Sequence, residues 1–425
     1  MALRVDETGH VAAEPHIPSG YKQTEVGIIP EGWDVKQIGS LKPFVTSGSR
    51  GWAAFYSDFG SPFIRITNLS RSSIYLDLED LRFVNVALDG SEVARTQLQD
   101  GDVLISITAD IGIIGYVSTK LQKPAYINQH IALVRFDTSK TNPKFVSYFL
   151  ASEKPQRLFR ALTDSGAKAG MNLTTVQRCL LALPPTRTEQ EAIAQALSDA
   201  DALIESLEQL IAKKRRMKQG AMQELLTGKK RLPGFEKVPG SKQTEVGLIP
   251  EDWDVAKLSG ICSLKSGEGI TSVNIDQFSK YPCYGGNGLR GFTTRFTHDG
   301  NYALIGRQGA LCGNVVGVDG RFFASEHAIV VTGSARTDIR WLTRVLRQMQ
   351  LNQYSESSAQ PGLSVSKLLS LNLALPPTRG EQEAIDSIFS DMDAEIAALE
   401  EKLAKARRIK QGMTQELLTG RIRLI

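Results

Sequence analysis

Two passages of this chain are written twice, while the residues between the copies are not. Lys22 to Ile38 reads KQTEVGIIPEGWDVKQI, and Lys242 to Leu258 reads KQTEVGLIPEDWDVAKL. A longer passage, Leu181 to Gly228, opens LALPPTRTEQEAI and closes RRMKQGAMQELLTG. Its copy, Leu373 to Gly420, opens LALPPTRGEQEAI and closes RRIKQGMTQELLTG, gapless and with about two-thirds of positions identical. The first pair is offset by 220 positions and the second by 192, so the stretch between them is 28 residues shorter in the second half. Those stretches, about residues 39–180 and 259–372, show little resemblance to each other. Each half is therefore a shared lead-in, a divergent insert and a shared helix. Drift after duplication blurs all parts alike; a preserved frame around unlike inserts implies one task for the frame and a different task for each insert.

The shared helix follows Pro184-Pro185, a stop and restart signal. Apolar residues then fall at Ile193, Leu197, Ala200, Ile204, Leu207 and Ile211, and in the copy at Ile385, Phe389, Met392, Ile396, Leu399 and Leu403. Spacings that alternate four and three make a coiled-coil seam. Both helices end at LLTG, with glycine suited to the C-terminal cap. Near forty residues give a rod of roughly 60 Å. The cheapest partner for each seam is the other copy. The linker of about a dozen residues after the first helix favours antiparallel pairing, which places the inserts at opposite ends. In the last turns the seam degrades: Lys214, Lys218 and Lys410 take core positions. The runs Lys213, Lys214, Arg215, Arg216, Lys218 and Lys405, Arg407, Arg408, Lys410 become candidates for phosphate or partner contact, against the plainer reading of a solvated face.

The inserts mix strand-like runs with turns: PFIRITNL, DVLISIT, IGIIGYVS and INQHIALVRF, then a helical stretch over 143–163; YALIGRQG, GNVVGV and FASEHAIVVT, then one over 338–354. Short strands, many glycines and a terminal helix predict compact α+β domains of one fold carrying different surfaces. The whole is read as α+β: two globular domains joined by two long antiparallel coiled-coil helices, with an internal pseudo-twofold repeat. The boundaries are a flexible leader over 1–20, a first domain over 21–187, a helix over 188–228, a linker over 229–241, a second domain over 242–379, a helix over 380–420 and a tail over 421–425. Candidate base or backbone readers stand near glycines, which let loops approach a groove. In the first insert they are Ser49, Arg50, Trp52, Arg65, Asn68, Asn128, Gln129 and His130; in the second, Tyr284, Asn287, Arg307, Gln308 and His327. Arginine suits guanine edges and Asn or Gln adenine edges in bidentate geometry. For any single one, turn chemistry and structural hydrogen bonding are the competing account.

Catalytic signals are scarce. There is no GxxxxGK[ST] loop, no GxGxxG after a strand and no HExxH. Cys179, Cys262, Cys283 and Cys312 lie far apart without a CxxC, which suggests neither a zinc site nor a disulfide framework and suits a reducing cytoplasm. Cys312, or His327 beside Glu326, could be imagined as nucleophile or base, without a third orienting group. A net charge of +4 on 425 residues neither requires nor excludes nucleic acid, no apolar run is long enough to cross a bilayer, and residues 1–20 lack the apolar centre of a signal peptide.

The phrase YKQTEVGIIPEGWDV, the helix starts LPPTRTEQEAI and LPPTRGEQEAI and the ends QELLTG resemble Type I restriction-modification specificity subunits, over nearly the whole chain and twice. GSRGWAAFYSD, and IGRQGALCGNV with SEHA, look like that family's target recognition domains. The resemblance implies a non-catalytic subunit that binds double-stranded DNA, each domain reading one half of an asymmetric bipartite site while the helices fix the spacer. It implies two modification subunits that carry S-adenosylmethionine and methylate adenine. It also implies restriction subunits that use ATP and Mg, with no cofactor or metal on this chain. The competing class is a coiled-coil scaffold whose globular heads bind protein and no DNA.

Overall fold

The computed structural model describes residues 17–48, 50–86, 90–164, 171–236, 238–309, 311–355 and 362–424; the leader expected over 1–20 lies mostly outside them. The chain divides into two compact units: residues 1–208 with 402–425, and residues 209–401. Each unit holds one insert, one lead-in, the opening half of one long helix and the closing half of the other.

The long helices span Arg187–Leu225 and Arg379–Leu417. Each is capped by the threonine of LPPT: Thr186 Oγ1 accepts from Glu189 N at 3.2 Å, and Thr378 Oγ1 from Glu381 N at 3.3 Å. Past their ends, Gly228 and Gly420 adopt φ of 72° and 68°, the left-handed turn that glycine makes without strain. The pairing is antiparallel in both units. In the first, Asp201 meets Lys410 and Glu208 meets Arg407; in the second, Lys214 meets Glu395 and Lys218 meets Asp393. The seam residues Ile193, Leu197, Ile211, Ile385, Phe389, Ile396 and Leu399 are buried, and Ile204, Leu207 and Leu403 half-buried.

The duplicated segments also pair with each other. Asp34–Gln37 of the lead-in lies antiparallel to Leu180–Leu183, just before the helix, and Asp254–Lys257 to Asn372–Leu375 in the same register. These two-stranded ribbons close each insert at its base. The lead-in then receives the end of the helix from the other repeat. A Cβ at Gly420 would stand 2.4 Å from Pro30 Cγ, and one at Gly228 2.5 Å from Pro250 Cδ, above the buried Trp33 and Trp253. Beyond each glycine an arginine returns to the other helix: Arg423 bonds Glu189 and Arg231 bonds Glu381.

Each insert is built on a four-stranded antiparallel sheet of one order. In the first unit it runs Phe44–Ser47, Ile131–Arg135, Val103–Ser106, Ile114–Tyr116; in the second, Cys262–Ser266, Ala328–Gly333, Tyr302–Gly306, Val315–Val318. A second sheet in each contains one parallel pair, Tyr126–Ile127 with Ser61–Ile64 and Arg321–Ala324 with Tyr281–Gly285. The helical stretch expected over 143–163 is two helices, Pro143–Ala151 and Glu153–Asp164. Pro155 has no N–H to donate and fits only a first turn, so Ser152 stays extended and the helix restarts. In the second unit Ile339–Gln348 ends before Gln350, whose φ is 47°.

Candidate nucleic-acid interface

In the first unit three loops meet at the ends of the main sheet. The loop after Phe44–Ser47 is held by Gly48 N donating to Ile131 O at 3.3 Å. A Cβ at Gly48 would stand 2.2 Å from the Asn128 carbonyl, so only glycine permits this approach. The turn 128–130 is closed by His130 N donating to Asn128 Oδ1 at 2.8 Å. The loop 107–113 joins through Ile107 N to His130 O at 2.9 Å, and Thr108 Oγ1 lies 2.6 Å from His130 Nδ1. Gln129 Nε2 stands 3.1 Å from His130 Nε2. Behind this cluster, Arg71 and Gln156 grip the Ile111 and Gly112 carbonyls at 3.0 and 2.7 Å. Arg50 is exposed on the first loop; Ser49 lies outside the described residues.

The second unit repeats the arrangement with other side chains. A Cβ at Gly267 would stand 2.2 Å from Ala324 O, and Arg307 N donates to His327 O at 2.9 Å, the bond that Ile107 makes to His130. Gly286 joins the cluster, 3.2 Å separating its Cβ position from the carbonyls of Gln308 and His327. Arg307 reaches Ser266 Oγ at 3.1 Å, and His327 pairs with Glu326 at 3.3 Å. Asn287 and Gln308 are exposed, and Arg307 is half-exposed. By shared backbone bonding, Ile107 and Thr108 correspond to Arg307 and Gln308, and Asn128-Gln129-His130 to Ser325-Glu326-His327. One scaffold presents a largely neutral set of donors in the first unit and an arginine with a carboxylate in the second.

The structure gives several expected readers a structural role. Trp52 is buried, stacked on Phe63 at 5.7 Å and edge-on to Tyr126 at 5.2 Å: its bulk sits in a small apolar cluster. Asn68 is buried, accepting from Arg65 N and donating to the Asp77 and Asp80 carbonyls; Arg65 bonds the Asp80 carbonyl at 3.0 Å. Both brace a loop. Tyr284 packs edge-on against Phe322. Of the basic runs, Lys214, Arg215, Lys218, Arg407 and Lys410 pair with carboxylates of the opposite long helix within their own unit, whereas Lys213, Arg216, Lys405 and Arg408 are exposed. Residues passed over in sequence are Thr108 and Ser266; aligning the NQH and SEH turns is the signal that finds them. Cys312 is buried, its Sγ donating to Arg307 O, and burial pushes its thiol pKa up, opposite to an activated nucleophile. A groove of about 1830 Å³ in the first unit lies instead against the long helices, beside Tyr75, Tyr148, Asp201 and Lys410.

A sequence profile for the Type I restriction modification DNA specificity domain matches residues 30–213 and again 250–408, well over half of the chain. The chain belongs to that family. The chain is 47% identical over 123 residues to the Type I restriction enzyme EcoprrI specificity subunit of Escherichia coli, a match covering 28% of the chain and 31% of that relative. It is 30% identical over 241 residues to a putative type I restriction enzyme MjaX specificity subunit of Methanocaldococcus jannaschii, covering 56% of the chain and 54% of that protein. The chain thus spans about a third and about half of these two relatives. The solved Type-I restriction-modification system S subunit from M. genitalium superposes with a TM-score of 0.62 at 16% identity, over 91% of this chain and 96% of that one. That likeness establishes the shared fold: two α+β domains and two long helices. No helix among the described residues is long and apolar enough to cross a membrane.

Proposed function

We propose that this chain is the DNA-binding specificity subunit of a Type I restriction-modification complex, and that each unit's loop cluster reads one half of an asymmetric bipartite site. The observation that carries the reading is the pair of clusters, alike in backbone bonding and unlike in side chains. Equivalent placement suits the same approach to a groove, and unlike donors suit unlike bases. Arg307 offers guanine a bidentate partner, and Gln129 and Gln308 offer one to adenine. The exposed Lys213, Arg216, Lys405 and Arg408 suit phosphate or a partner subunit. In this reading the long helices set the unread spacer and dock two modification subunits. Those subunits carry S-adenosylmethionine and receive the flipped adenine; restriction subunits supply ATP- and Mg-dependent cleavage. This chain selects the site and performs none of the chemistry.

The test is methylome sequencing of a host that expresses the chain with its modification subunit. The expected result is a bipartite motif with methyladenine in each half and unequal halves. Replacing residues 39–180 should change one half-motif only. A continuous motif, no motif, or a change in both halves overturns the reading, and a chain that binds protein but leaves DNA unmethylated returns it to a scaffold.

A further inference from the structure

Each recognition domain grips a long helix through one short helix, and the two grips differ. In the first unit Pro143–Ala151 is capped by Asn142, whose side chain accepts from Phe145 N and whose own backbone N–H donates to Gln190 Oε1 at 2.9 Å. In the second, Ile339–Gln348 is capped by Asp338, whose side chain accepts from Trp341 N and whose backbone N–H donates to Gln382 Oε1 at 2.8 Å. Gln190 and Gln382 are the same position of the repeat, so the caps align the two docking helices. Six residues past the cap stands Tyr148 in one and Arg344 in the other.

Tyr148 donates to Asp201 Oδ2 at 2.7 Å. Arg344 instead spans four residues on one face of its long helix. It bonds Asp386 through Nε, Ser390 Oγ at 3.0 Å and Asp393 Oδ2 at 3.0 Å, with its guanidinium 5.4 Å from the Phe389 ring. The first long helix carries Ala194, Leu197, Ser198 and Asp201 at those places. Two positions are kept, and the two that change remove a carboxylate and an aromatic face. Those are the groups that hold a guanidinium and that a phenol does not need. The position that gains the carboxylate is buried in both halves, Ala194 2% and Asp386 5% exposed. The charges balance separately in each unit. Lys410 already pairs with Asp201, the one carboxylate of the first cradle, while Lys218 and Arg344 are met by Asp386 and Asp393.

We propose that this four-residue cradle is a matching code that decides which recognition domain each half of the frame accepts. The second long helix takes a domain whose docking helix presents a cation; the first takes one presenting a neutral hydroxyl. A tyrosine brought to the second helix leaves Asp386 buried without a cation, and an arginine brought to the first finds one carboxylate already paired; both are costly mismatches. The inference concerns assembly of the chain and stands apart from which bases are read.

The experiment compares full-length chains by thermal unfolding: the native chain and a chimaera in which residues 259–372 replace 39–180, each with and without Ala194→Asp. Ala194→Asp should lower the Tm of the native chain and raise that of the chimaera, by roughly 5 °C each way. A shift of the same sign in both, or none in either, overturns the proposal. Should neither chimaera fold, Tyr148→Arg and Ala194→Asp are made singly and together in the native chain. The pair should then unfold at least tenfold less than the singles predict by addition; simple additivity overturns it.

Discussion

Arg231 lies in the segment expected to be a linker, yet its side chain is only 6% exposed and that of Glu381 1%. It donates to Glu381 at 2.7 and 3.0 Å, to Asp252 at 2.6 and 3.3 Å and to the Phe235 carbonyl at 2.7 Å. Substituting Arg231→Met keeps much of the packing and leaves Glu381 buried without its cation. Stranding one member of such a pair costs about 3–5 kcal/mol, two or more powers of ten in the unfolding equilibrium of the second unit. Adding Glu381→Gln removes the stranded charge and should restore most of the loss. The pH response has a definite sign. Burial raises the Glu381 carboxyl pKa against the opposing hydrogen bond and charge of Arg231, and without the arginine it rises further. A raised acid pKa means that the folded state holds the proton more tightly. The penalty is therefore present above that pKa and relieved as pH falls through it. Denaturant unfolding of Arg231→Met followed by tryptophan fluorescence should show a deficit that shrinks from pH 7 to pH 5. An equal loss when Glu381→Gln is already present, or a deficit flat in pH, would refute the reasoning. The matching Arg423 is 39% exposed and pairs with Glu189, itself only 3% exposed, with Gly32 where Asp252 stands; Arg423→Met also strands a buried carboxylate, but one whose partner is already half in solvent, so the loss should be smaller, about 1–3 kcal/mol.

In the first insert, stability and the proposed reading of DNA can be tested apart. Trp52→Ala should cost about 3–5 kcal/mol by emptying an aromatic cluster, whereas Arg50→Ala should leave Tm unchanged and weaken DNA binding by the assembled complex; the reverse pattern would return Trp52 to the interface. Burial acts to raise the Asp393 carboxyl pKa, but bonds from Lys218 and Arg344 outweigh it and the net direction is down. Its contribution is thus present above the ordinary carboxylate pKa and lost as pH falls through the depressed value. Asp393→Asn should therefore narrow the stability gap between pH 5 and pH 3 in the second unit, and an unchanged gap counts against the assignment.

Much of the fold was legible because repetition and period speak directly of backbone geometry. The seam from Ile193 to Ile211 and its copy, the LPPT starts and the LLTG ends needed only helical spacing and cap chemistry. The break at Ser152 was also in reach, since Pro155 forbids a continuous helix, but the apolar pattern runs across it. The candidate readers were far less legible. Arg50 and Trp52 are two residues apart in a small, basic, aromatic run, yet one faces solvent and the other fills a core. Side-chain destination there is set by strands distant in sequence. Asn68 shows the same limit: its amide satisfies carbonyls nine and twelve residues away, which no local pattern announces.

The sequence by itself determined that this protein has one frame and two unlike inserts, because a duplicated text with a divergent middle admits no other economical reading. It also determined that the frame is helical and paired. Tertiary structure decided what the charges do. Lys214, Lys218 and Lys410 take core positions of the seam and are candidates for phosphate or partner contact by sequence, and antiparallel pairing instead brings each to a carboxylate on the other helix. It decided too that Gly48 and Gly267 bring loops together and that Tyr148 and Arg344 answer one cradle differently. Such facts depend on contacts between residues far apart along the chain, and distances of that kind appear only once the backbone has closed on itself.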